Sequence, residues 1–154
     1  MRRRPARCAL VLRDGRGPIV LLTVCTLGRR PILTSDDSVA VILTAWRRAT
    51  AWLVGRYVIL PDHIHLFCAP LDDDSQPLPQ WVHFWKSFAS RRWPRQEERP
   101  LWQADFWDTQ LRSGNSYEAR WEYVRGNPVR HGYCSAPEDW RYLGELNVLE
   151  WNDR

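Results

Sequence analysis

Lysine is almost absent: of the 22 cationic residues only Lys86 is one, and all the rest are arginine. Long apolar runs are missing too. No stretch reaches the roughly 18 residues that a membrane-spanning helix needs, which argues against an integral membrane protein. The basic start Met1-Arg2-Arg3-Arg4-Pro5 leads into a segment interrupted by Arg13 and Asp14, and no small-residue cleavage pattern follows. A secretory leader is therefore not expected, and the expected location is cytoplasmic. Cysteine is sparse, and Cys8, Cys25, Cys68 and Cys134 form no close pair. That pattern excludes a zinc-ribbon spacing and a disulfide scaffold, and reads as four reduced, mostly buried thiols. Neither repeats nor low-complexity blocks nor an interdomain linker are visible. With 154 residues, 44% of them hydrophobic and 26% charged, the chain reads as one globular domain over 1–154, with a core at about 18–145 and a basic tail over 1–7.

Against these absences stand the arginine excess and 10 tryptophans. Arginine forks grip phosphates and guanine edges, and aromatic faces receive unstacked bases, so the pair of excesses suits nucleic acid. GC-rich coding bias and an aromatic core produce the same composition, and a net charge of +4 is modest.

The β-branched run from Pro18 to Leu27, bounded by Gly17 and Gly28, reads as a buried strand. Ser35-Asp36-Asp37-Ser38 supplies capping residues to a helix over Val39–Trp52, whose Val39, Ile42, Leu43 and Trp46 recur at helical spacing. Leu53–Leu60, the turn Pro61-Asp62 and His63–Cys68 read as a hairpin. Trp81, Phe84, Trp85 and Phe88 mark a helix that Pro94 ends, and Gln96–Pro100 reads as a charged, mobile excursion. A short strand over Phe106–Arg112, a turn at Ser113-Gly114-Asn115 and a helix from Ser116 to the Asn127-Pro128 stop complete the order, followed by an aromatic, loop-like tail after Gly132. Strand, helix, strand, strand, helix, strand, helix is the order of an α+β, ferredoxin-like split βαβ fold, with an antiparallel sheet and helices packed on one face.

His63 and His65 stand two apart in a predicted strand, so both imidazoles share a face, while Ile64, Leu66 and Cys68 share the apolar one. A shared divalent cation would satisfy the pair; so would hydrogen bonds within a half-exposed sheet. Tyr123 and Asn127 stand four apart, which on a helix brings a phenol and a carboxamide to one face, although Gly126 and Pro128 disturb the last turn. Taken alone, Tyr123 also suits a core position beside Trp121 and Val124.

Two segments carry a family resemblance. Tyr57–Leu66, with His63-Ile64-His65, resembles the HUH motif of single-tyrosine, single-strand DNA transposases, and Tyr123-Val124-Arg125-Gly126-Asn127-Pro128-Val129-Arg130-His131-Gly132 resembles their nucleophile helix. Its Asn-Pro-Val and basic-His-Gly most resemble the REP-associated tyrosine transposases. The likeness implies that Tyr123 attacks a DNA phosphate to form a 5′-phosphotyrosine, that His63, His65 and Asn127 hold Mg²⁺ or Mn²⁺, and that single-stranded or hairpin DNA is the partner. It also implies a nucleoid-associated protein and a monomer rather than a homodimer. DNA contacts are expected from Arg2, Arg3, Arg4, Arg29, Arg30, Lys86, Arg91 and Arg92. Thr109 stands where relatives often carry a histidine, and Ser113-Gly114-Asn115 where they carry an acidic pair. Tyr117 competes as nucleophile but lies six residues before Tyr123, about 120° round the helix. A hairpin-binding module without catalysis, for DNA or RNA, and a phosphodiesterase using water are the competing readings.

Overall fold

The computed structural model describes residues 18–72 and 74–150. Five strands form one antiparallel sheet in the order β4-β1-β3-β2-β5, with β1 at Val20–Cys25, β2 at Trp52–Ile59, β3 at His63–Pro70, β4 at Trp107–Gln110 and β5 at Leu143–Glu145. Placing β3 between β1 and β2 is the split βαβ arrangement, so the α+β class and antiparallel sheet follow the sequence reading, while helices cover both faces and not one. The crossover helices α1 (Asp36–Arg48) and α2 (Leu78–Arg91) pack together on one face. A third helix, α3 (Gly114–Arg125), lies on the opposite face and is followed by the short α4 (Asn127–Arg130).

Strand alternation explains the two cores. Val20, Leu22, Val24, Ile64, Leu66 and Cys68 point to α1 and α2, whereas Leu21 and Phe67 point to α3. In β2, a register shift between Val54 and Tyr57 lets both residues join the first core although they stand three apart. An inserted residue resets the parity of a strand. The sheet is thus buried on both sides, and Phe67, next to the histidines, is fully buried.

Ser35 caps α1, its Oγ accepting from the Ser38 N–H, with Asp36 and Asp37 in the first turn. The helix ends at Arg48, not at Trp52. Trp52 instead starts β2 opposite Pro70 and donates its indole N–H to the Gln76 carbonyl at 2.8 Å. The charged segment at 96–100 is tied down: Arg30 donates to the carbonyls of Glu98 and Pro100, and Glu98 accepts from Trp93 and Arg95. The expected mobile excursion is therefore an internally bonded turn. After Gly132 the tail adds β5 to the edge of β2, where Gly144 leaves room for the Tyr57 hydroxyl, 2.8 Å from the position a Cβ would take.

Half of the tryptophan excess is core. Trp46, Trp52, Trp81, Trp85 and Trp93 are buried, the other described tryptophans are half-buried, and Trp151 lies outside the described residues. Cys25 and Cys68 are buried and Cys134 is half-buried, while Cys8 lies outside the described residues. Among the described residues no helix is long and apolar enough to cross a membrane.

Candidate active site

β3 pairs with β1 so that Thr23 stands opposite His65 and Cys25 opposite His63. The first pairing supplies a partner: Thr23 Oγ1 is hydrogen-bonded to His65 Nδ1 at 2.9 Å. The turn before β3 supplies the other, because His63 Nδ1 meets Asp62 Oδ1 at 2.7 Å. Both rings are thus oriented through Nδ1, and Nε2 is the nitrogen each would turn to a cation. This is the way ligating histidines are commonly held. Their ring centroids are 4.9 Å apart.

Asp62 also receives Arg29, whose Nε donates to Oδ2 at 3.0 Å and whose Nη2 lies 3.3 Å from His63 Nδ1. Gly28 at φ 67° and Arg29 at φ 54° turn the loop after β1 through the left-handed region, which directs the guanidinium back to the histidine. Backbone bonds stitch the same corner, with Thr26 N–H donating to the Asp62 carbonyl and Leu33 N–H to that of Pro61, each at 3.0 Å. Burial, the largest influence, pushes the His63 pKa below the ordinary histidine value; Asp62 opposes this, and Arg29 and His131 add to it. His63 is therefore neutral at pH 7. For Asp62, burial resists ionisation but is outweighed by His63 and Arg29, so the carboxyl titrates below the usual range.

The second segment is built from α3 and α4. Ser113 caps α3 by accepting from Ser116 N–H at 3.0 Å, and Gly126 joins the two helices. A Cβ at Gly126 would come within 2.8 Å of Arg130 Nη1, so this position lets the Arg130 side chain fold back. Arg130 Nη2 donates to the Tyr123 carbonyl at 2.5 Å and to Asn127 Oδ1 at 2.7 Å, and its guanidinium carbon sits 4.0 Å from the Tyr123 ring centre. One arginine thus binds the phenol and the carboxamide into a unit. Tyr123 is 64% exposed and Asn127 is buried. Tyr117, by contrast, is buried against Phe67, and burial, opposed by the Arg56 guanidinium and backbone N–H, pushes its pKa up to about 12.

His131, directly after Arg130, packs its ring 6.0 Å from that of His63. It links the two segments, and the sequence reading did not single it out. Asp62, Thr23 and Arg130 were also missed as site residues. Among the described residues no three His, Cys, Asp or Glu side chains form a metal-ligating group. The Asn127 carboxamide oxygen, expected from the sequence as the third ligand, accepts a hydrogen bond from Arg130.

The expected DNA contacts divide. Arg29 joins the histidine corner. Arg30 spends its guanidinium on the carbonyls of Leu27, Glu98 and Pro100, which makes it a brace of the loop. Arg91 and Arg92 are exposed at the end of α2, on the helix that covers the face away from the histidines, and Arg92 lies 3.9 Å from the Phe88 ring centre. Arg2, Arg3 and Arg4 lie outside the described residues.

Lys86 is half-buried and donates Nζ to the Gln103 carbonyl at 2.7 Å. Burial lowers its pKa from 10.5 to about 8, with Asp105 and Cys25 pulling the other way. Between these values the unfolded chain binds more protons than the folded one, so this group makes stability rise with pH. The unfolding free energy of the wild type minus that of Lys86→Met is expected to climb between pH 8 and 10 and to be flat from pH 6 to 7.5. Urea denaturation across that range measures it.

No protein-family model matches the chain. A Haemophilus influenzae protein named for the REP-associated tyrosine transposases is 31% identical over 96 residues, covering 54% of this chain and 53% of that protein. The REP-associated tyrosine transposase of Escherichia coli is 25% identical over 96 residues, covering 62% of this chain and 56% of its own length. The chain is thus similar to proteins named REP-associated tyrosine transposases. It spans about half the length of these curated relatives. A solved REP-associated tyrosine transposase bound to a REP hairpin superposes with a TM-score of 0.73 at 21% identity, covering 90% of this chain and 81% of the other, so the two share a fold.

Proposed function

We propose that the protein is a divalent-metal-dependent single-strand DNA transposase or endonuclease that cleaves and rejoins hairpin-associated DNA through a 5′-phosphotyrosine. The observation that carries this reading is the packing of His131 on His63, which anchors the segment bearing Tyr123 and Asn127 at the histidine pair. Kinship with REP-associated transposases supports the choice of DNA, and the bound hairpin of the solved relative supports a hairpin substrate.

The exposed Tyr123 hydroxyl attacks the scissile phosphorus, a P–O bond to tyrosine forms, and the bond to the preceding 3′-oxygen breaks, releasing a 3′-hydroxyl. The tyrosine proton leaves to solvent, and the 3′-oxygen takes one up. A phenol of pKa ~10 is also a good leaving group, so the 3′-hydroxyl can reverse the step and rejoin ends. Arg130 fixes the Tyr123 ring and the Asn127 amide, while Arg29 supplies positive charge beside His63. His63, His65 and Asn127 would hold Mg²⁺ or Mn²⁺: both Nδ1 atoms are engaged, which leaves Nε2 for a cation, and two imidazoles with an amide oxygen suit several divalent ions. Such a cation would withdraw charge from the phosphate oxygens.

Incubation with end-labelled REP hairpins carrying single-stranded flanks, in Mn²⁺, is expected to give a protein–DNA adduct that survives denaturing electrophoresis. Binding without an adduct or cleavage would leave a recognition module. Cleaved DNA with no adduct would indicate attack by water and overturn the tyrosine mechanism.

A further inference from the structure

One arginine of the sheet grips the helix that carries Tyr123, and the chemistry above does not use it. Val54 stands opposite Cys68 and Tyr57 opposite Leu66, so two residues of β2, Gly55 and Arg56, face Phe67 alone. A bulge of this kind re-aims a side chain. Here it delivers the half-buried Arg56 to the underside of α3. The guanidinium carbon lies 5.0 Å from the Tyr117 ring centre and 5.7 Å from that of Trp121. Nη1 donates to Glu118 Oε1 at 3.1 Å, and Nε lies 3.6 Å from Glu145 Oε2 on the paired strand β5. Gly55 leaves the room for this approach, since a Cβ there would come within 2.7 Å of the Leu149 side chain and 3.2 Å of the Tyr117 hydroxyl.

The grip is directional where the rest of the attachment is not. Tyr117 and Val124 are the buried apolar side chains of α3, and apolar burial has no preferred direction, so by itself it lets a helix turn about its axis. A planar guanidinium that stacks on rings with its face and bonds carboxylates at its edge fixes an angle. Tyr123 follows Trp121 by two residues. A turn of about 10° would carry a side chain about 6 Å from the helix axis through about 1 Å. A shift of that size is enough to slow a reaction whose attacking atom must be aligned.

We propose that Arg56 is a positioning residue for the Tyr123 nucleophile: by holding Tyr117, Glu118 and Trp121 against the sheet it sets the rotation of α3, and with it where the phenol points. This rests on the tyrosine mechanism above. Arg56 acts through the helix and takes no part in the bond making and breaking.

The test reads rate, binding and helix mobility separately. Single-turnover adduct formation on end-labelled REP hairpins is followed in Mn²⁺ at saturating protein, the hairpin Kd is measured in EDTA, and hydrogen exchange is resolved along the free chain. Arg56→Met, which keeps most of the stem and removes the cation, is expected to slow adduct formation at saturation about 10-fold with Kd unchanged, and to speed exchange of α3 amides while those of α1 and α2 stay at the wild-type rate. Its urea midpoint should move little, because the Glu118 side chain is 63% exposed and such ion pairs add little stability. Glu118→Gln, which serves alone if Arg56→Met does not fold, should slow the adduct about 3-fold. The double variant should be no slower than Arg56→Met, since both remove one contact. A wild-type rate at saturation in the single variants, a loss confined to Kd, α3 exchange at the wild-type level or fully multiplicative slowing in the double variant each overturns the positioning role alone. Absence of any adduct in wild type overturns the tyrosine mechanism, and the positioning role falls with it.

Discussion

Tyr123→Phe is expected to lower covalent adduct formation at least about a thousand-fold, while hairpin binding and the unfolding midpoint stay close to wild type. The substitution removes one exposed hydroxyl and keeps the ring under Arg130, whose bonds to the Tyr123 carbonyl and to Asn127 Oδ1 involve no phenol oxygen. Any loss of adduct therefore reports the missing nucleophile and not a displaced helix. Tyr117→Phe is the matched control. Its hydroxyl is buried and, among the described residues, has at most the Arg56 backbone N–H as a partner, so deleting it should change stability little, with adduct formation intact. Adducts are counted on denaturing gels and stability by urea unfolding. If Tyr117→Phe abolishes the adduct and Tyr123→Phe does not, the nucleophile has been misassigned.

The contrast between these tyrosines shows what a sequence can display. Helical azimuth separates residues six apart, so two different faces were legible; which face is buried was not, because Phe67 had first to be placed beneath α3. The histidine pair was legible for a similar reason, since a strand period of two fixes a shared face whatever the register. Its orienting partners were not. Thr23 meets His65 only through the pairing of β1 with β3 across 42 positions, and Asp62, read as turn chemistry, acquires its second role from the bend that aims it at His63. His131 was visible only as a letter in a motif. Its contact with His63 depends on how α4 docks.

Local signals failed where tertiary pairing won. Nothing between Arg48 and Trp52 is a glycine or proline stop, and Trp52 continues a helical apolar spacing, yet pairing with Pro70 draws it into β2. Arg30 and Lys86 looked like surface cations because charge is countable and burial is not. In the fold their donors satisfy loop carbonyls.

Phe67→Ala is expected to cost about 3–5 kcal/mol of stability, a fifth or more of the roughly 5–15 kcal/mol available to a domain. Phe67 is fully buried on the histidine side of β3, with its ring 5.0 Å from Tyr117 and 6.2 Å from Trp121. The helix it supports has few other holds. Tyr117 and Val124 are its buried apolar side chains, whereas α2 buries Leu78, Trp81, Val82, Trp85, Phe88 and Ala89. The cavity therefore opens under the weaker attachment, and α3 should loosen before α1 or α2 does. Hydrogen exchange resolved along the chain is expected to show α3 amides accelerating more than those of α1, and adduct formation should fall even where the variant remains folded, because Tyr123 rides on α3. Phe67→Leu, which retains most of the volume, should cost under about 1.5 kcal/mol and preserve the adduct. Uniform acceleration of exchange in all three helices would mean that the sheet, and not this one ring, holds the tyrosine helix in place.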